Sequence, residues 1–194
     1  MKFELSEFLK NKKVIGLALG LGGILIVFLI VFTFGLWPVA FVNGAPIFAF
    51  QYQKATDLAF NYFANYSSND QSKEKLKEGS RAIALEGLID EILIDKKLKS
   101  EMKKSELEEK IENHIKPFLD DQEARRLLSK LIRLPEKDII RYFLRIQAKN
   151  QILDSRLRLE KKDLISWLIE ERKKAKVIIL VPGIKWTEEG VKLI

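Results

Sequence analysis

The sequence predicts a mainly α-helical protein: an N-terminal transmembrane helix, then a multi-helix domain whose first and last segments are joined by a small two-stranded sheet. Three observations predict it. An uncharged apolar run extends from Val14 to Trp37, apolar residues recur at helical period between Ala49 and Lys174, and strand-like runs occur only at Pro38–Asn43 and Val177–Val181. Length and composition agree with one domain behind the apolar run. The chain has 194 residues, is 47% hydrophobic and 31% charged, and carries only 10 Gly and 5 Pro, the profile of a folded rather than a disordered or low-complexity chain.

As an α-helix the run over 14–37 would be roughly 36 Å long, enough to cross a hydrocarbon core of about 30 Å. A cleaved signal peptide has a shorter apolar region and a small-x-small site. Here the nearest candidates are Pro38-Val39-Ala40 and Asn43-Gly44-Ala45, the first with proline where a small residue is wanted and the second followed by Pro46. An uncleaved anchor is therefore expected. Lys2, Lys10, Lys12 and Lys13 outnumber Glu4 and Glu7 before the run, which predicts residues 1–13 in the cytoplasm and a single pass through the plasma membrane. The domain over 38–182 and the tail over 183–194 then lie outside the cell, with Trp37 at the lipid interface. Gly16, Gly20 and Gly23 form a small-residue face through which two such helices could pair as a homodimer.

The domain reads as a series of helices between its two strands. Pro38–Asn43 is extended by its Val and Phe content, and Asn43-Gly44 with Pro46 forces a turn. A first helix is expected over 49–66, with Tyr52, Ala55, Leu58, Ala59, Tyr62, Phe63 and Tyr66 on one face and Phe50 and Phe60 off it. After the polar loop 67–72, a second helix runs to about Glu101. It carries Leu85, Leu88, Ile89, Ile92 and Leu93 on one side and Ile83, Ile94 and Leu98 on the other. Ser105 with Glu108 reads as a capping box opening a third helix, which Pro117 breaks or kinks. The pattern resumes from Asp120 to Leu134. Pro135 is well placed to start a long helix apolar on two faces, through Phe143, Ile146 and Leu153. A last helix over 162–174, with Trp167, leads into Val177–Val181. Antiparallel pairing of that strand with Val39–Asn43 would turn the tail back, placing Trp186 at the bilayer surface.

Several chemistries are excluded by composition. The chain has no cysteine and one histidine, His114, which removes disulfides, thiolate metal sites and cysteine nucleophiles and leaves little for histidine-based catalysis. G-x-S-x-G, HExxH, GxxxxGK[ST] and GxGxxG are absent. No cofactor and no metal are expected. A net charge of +7 raises nucleic acid as a partner, but basic and acidic residues alternate, as in Lys103-Lys104-Ser105-Glu106-Leu107-Glu108-Glu109-Lys110, so no nucleic-acid interface is expected.

Taken in order, the pieces resemble the N-terminal chaperone domain of the SurA and PrsA family of extracytoplasmic folding factors. Val42-Asn43-Gly44-Ala45-Pro46-Ile47 is like that family's opening strand and turn, with Tyr52 at its aromatic position. Ala84 to Leu93 resembles its "LdqLIdexLL" helix, Ser105 to Ile115 its capped short helix, and Pro135 to Leu153 its long basic helix. Trp167 to Val177 is similar to its closing "W-x-x-x-x-R-x-x-A-x-V". The resemblance covers about residues 39 to 181 and implies a SurA-N-like fold and binding of unfolded or exported polypeptides without ATP. Phe48 stands where Ser or Thr often caps the first helix. Only Leu157 to Lys162 separates the last two helices, where relatives with prolyl isomerase activity carry a parvulin domain, so that activity is not implied.

The residues themselves add a surplus of apolar surface. Phe50 and Phe60 lie off their stripe, and Ile83, Ile94 and Leu98 lie on the second side of their helix. Either those side chains are sandwiched in a multilayer core, or they line a groove that holds extended apolar segments of unfolded clients. The alternative function is a membrane-tethered adaptor for one specific partner or a homodimer.

Overall fold

The structure, a computed structural model, describes residues 22, 23, 25–27, 29–66 and 73–194. Two compact units separate at Trp37 and Pro38.

In the first unit, residues 22, 23, 25–27 and 29–33 are helical. The helix does not continue to Trp37. Gly35 takes a left-handed φ of 64°, its N–H donates to the Phe32 carbonyl, and Leu36 N–H reaches back to the Val31 carbonyl at 2.9 Å. That pair of bonds is the glycine-terminated Schellman end of a helix. The Trp37 ring, 38% exposed, stacks on Phe32 with centroids 4.9 Å apart. Among the described residues no helix is long and apolar enough to cross a membrane. This overturns the expected transmembrane anchor over 14–37, and with it the single-pass, N-in placement of the domain outside the plasma membrane. Gly16 and Gly20 of the expected dimer face lie outside the described residues; Gly23 is helical with open space where a Cβ would stand.

The second unit begins with strands β1 (Pro38–Val42) and β2 (Ala45–Phe48). Asn43 and Gly44 both have positive φ, 50° and 86°, which a two-residue antiparallel hairpin requires. β3 (Val177–Ile179) lies antiparallel on the other side of β1, with Ala40 opposite Ile179 and Val42 opposite Val177. The ends of the domain are thus joined as the strand pattern suggested, but in a three-stranded sheet of order β2-β1-β3 rather than a two-stranded one.

Helix α1 (Ala49–Tyr66) follows β2 directly. Phe48 occupies the cap position, and the Gln51 side chain accepts its backbone N–H at 3.0 Å, the glutamine half of a capping box. Helix α2 (Lys73–Glu101) is the centre of the unit. Leu85, Ile89, Ile94 and Leu98 are all at most 1% exposed, so both of its apolar sides are filled and its neighbours pack around it. Helix α3 (Lys104–Asp120) contains Pro117 without breaking. The expected Ser105 cap is corrected as well: Lys103 stands at the N-cap with no side-chain bond, and Ser105 lies inside the first turn. Helix α4 (Gln122–Ile132) is capped by Asp121, whose Oδ1 accepts the Ala124 N–H.

Beyond Pro135, α5 (Glu136–Ile139), a π-helical turn (Ile140–Leu144) and α6 (Arg145–Leu159) run on without a break, followed by α7 (Leu164–Lys174), capped by Asp163. The tail forms a second hairpin, β4 (Ile184–Thr187) with β5 (Gly190–Leu193). It lies on α2: Val191 N–H donates to Glu86 at 3.2 Å, and Trp186 is half-buried against the main core. Trp186 is therefore a packing residue and not the interfacial one expected.

The main core gathers β1, Ile47, α2, α3, α6, Trp167 and Ile184. Ala59, Ile132, Ile139 and Tyr142 are buried outside it.

Candidate functional site

Helix α1 carries five aromatic residues in addition to Tyr52, yet among its side chains described only Thr56 and Ala59 are buried. Its period places Ala49, Tyr52 and Ala55, all partly buried, against the main core. Tyr62, expected inside, is 38% exposed and meets Phe63 edge-on at 5.5 Å. Phe50 and Phe60 are half-buried, and the Phe50 ring stacks on Phe48 of β2 with centroids 6.1 Å apart. On α2, Ile83 is 52% exposed. Of the five residues expected at a client surface, Phe50, Phe60 and Ile83 are thus solvent-accessible. Ile94 and Leu98, 1% and 0% exposed, belong to the core.

Polar side chains tie α1 down at its edges. Lys54 Nζ donates to Asp138 at 2.8 Å, and Arg81 Nε donates to the Tyr52 hydroxyl at 3.2 Å. The hydrogen bond from Lys54 to Asp138 raises the lysine pKa; burial raises those of Asp57 and of the Tyr142 phenol.

Behind this surface, α2 is clasped by cations from α6 and α7. Lys149 reaches Glu91 at 2.7 Å and Asp95 at 2.8 Å, Arg156 reaches Glu101 at 2.6 Å, and Arg172 joins Glu86 at 2.7 Å and Asp90. Sequence reading missed these pairs because an acid on one helix and a base 58 or 82 positions later leave no periodic signal. The His114 ring nitrogen Nδ1 lies 2.8 Å from the Lys110 carbonyl, as in an exposed helix residue. Among the described residues no group of His, Asp and Glu is placed to hold a metal ion.

The geometry defines a helical domain closed by a small terminal sheet, with an aromatic helix on its surface. No known protein family, curated protein or solved structure matches the chain.

Proposed function

We propose that the domain over 38–194 binds unfolded polypeptide segments without nucleotide, holding apolar stretches against the aromatic surface of β2 and α1. The observation that carries this reading is the helix α1 itself, rich in Phe and Tyr and yet almost without buried side chains. Each Phe or Ile side chain that a client covers is worth about 1.5–3 kcal/mol when fully buried, so a few such contacts hold a segment reversibly. The order of motifs resembling the SurA and PrsA chaperone domain supports the same reading. The test is suppression of aggregation of several unrelated unfolded proteins. Ile83→Ser and Phe60→Ser are expected to weaken it, with the Ile83 variant within about 0.5 kcal/mol of the parent in stability because its side chain is exposed. Undiminished suppression in both variants overturns the proposal.

A second reading has its own observation. Ile165 and Ile169, one turn apart on α7, are 73% and 46% exposed, and Leu159 just before them is 87% exposed. Such a stripe suits a dedicated folded partner. An adaptor would lose one copurifying protein on Ile165→Ser with Ile169→Ser and would not protect unrelated unfolded chains.

A further inference from the structure

Two cavities, of about 340 Å³ and 210 Å³, open beside the β1–β2 turn, and they share two lining residues, Asn43 and Lys96. The first has an apolar floor of Val42 and Ile92, the second one of Leu93 and Trp167. The other charges around them are committed: Lys97 to Glu101 at 2.6 Å, Lys99 to Asp95 at 2.8 Å, and Glu171 to Lys174 at 2.9 Å. Lys96 is exposed and has no acidic partner among the described residues. Asn43 is held rigidly in its left-handed conformation. Its backbone N–H donates to the Lys176 carbonyl at 2.8 Å, and its Oδ1 accepts the Lys176 N–H at 3.0 Å. With the side-chain oxygen so engaged, the Asn43 NH₂ group keeps both donors.

We propose that Asn43 and Lys96 receive the free C-terminal carboxylate of an apolar polypeptide chain. An ammonium and an amide NH₂ are donors only, so the group they fit is an anionic oxygen pair. The two cavities select the source. At a chain's C-terminus the carboxylate stands between two limbs, the terminal side chain and the preceding residues, and each limb finds a cavity of its own: a mostly apolar one beside Val42 and Ile92, and one that sets Leu93 and Trp167 beside Lys97, Ser100 and Glu171. A fatty acid has its carboxylate at the end of a single limb and leaves one cavity unfilled. This inference rests on the reading of the domain as a polypeptide binder but uses none of the α1 residues.

The experiment measures binding of a fluorescently labelled octapeptide ending in two leucines, as free acid and as C-terminal amide, to the full chain by anisotropy. Charge-assisted bonds predict that the acid binds about tenfold more tightly than the amide. Lys96→Gln is expected to abolish the difference and Lys96→Arg to retain most of it. Equal affinity for acid and amide, or no binding of either, overturns the site. Full displacement of the peptide by octanoate at the peptide's own concentration overturns the two-limbed source. Aggregation suppression measured on the same Lys96→Gln protein is expected to be unchanged, so failure here is separable from failure of the α1 surface.

Discussion

Replacing Lys149 by Met isolates what clasps α6 to α2. The Lys149 side chain is 12% exposed and its ammonium lies 2.7 Å from Glu91 and 2.8 Å from Asp95, which are 25% and 24% exposed. Removing one partner of a fully buried ion pair costs about 3–5 kcal/mol, mostly by stranding the opposite charge. Here both carboxylates keep some access to water and Asp95 retains Lys99 at 2.8 Å, so the cost should fall to about 2–3 kcal/mol at neutral pH. For a domain of this size that corresponds to a melting temperature lower by about 5–10 °C.

The pH dependence carries the sharper sign. Burial pushes the Asp95 carboxyl up, but Lys149 and Lys99 beside it outweigh burial and hold it below the usual aspartate value. A depressed carboxylate contributes stability above its unfolded pKa and loses it as pH falls through the folded one. In the Met variant burial acts on Asp95 with only Lys99 to oppose it, so the parent loses more than the variant on acidification. The gap between them, read from urea midpoints at pH 7 and pH 3, should therefore narrow. A loss below about 1 kcal/mol at pH 7, or a gap that widens in acid, refutes the clasp.

Two further variants test the fold. Leu98→Ala should cost about 2–5 kcal/mol in chemical denaturation, as for a fully buried leucine, and a near-neutral result would return Leu98 to the surface. Gly190→Ala forces a Cβ to within 2.9 Å of Glu86 Oε2 at a φ of 121°, so the β4–β5 hairpin should dock less firmly. Its signature is a red shift of tryptophan emission that disappears in a Trp186→Phe background, and unchanged emission would refute it.

The helices were legible because their apolar period is local. Leu85, Leu88 and Ile89 recur as one face of α2 and are buried as such, and the β1–β3 pairing followed from there being two strand-like runs at the domain's ends. What failed depended on contacts the period does not carry. Ile94 and Leu98 read as surplus because α2 packs against elements far along the chain, α6, α7 and β5 among them, which its own period does not announce. Ser105 matched a cap pattern, but the chain bends into α3 two residues earlier. The apolar run ending at Trp37 promised an unbroken span, and Gly35 terminates its helix by a backbone conformation that hydropathy does not register. That Asn43 and Lys96 line the same two cavities left no mark in the sequence, since a lysine on an exposed helix face looks like any solvated charge.

The strand pairing that closes the domain has a bearing on its synthesis. Asn43 and Lys176, bonded to each other across β1 and β3, are 133 positions apart. At ordinary elongation rates the ribosome takes on the order of ten seconds to add that many residues. During that interval one edge of β1 has no partner, and the helices must gather around α2 before the seam can shut. A chain truncated before Val177 would keep its periodic helices but leave that edge bare, inviting strand exchange with a neighbour.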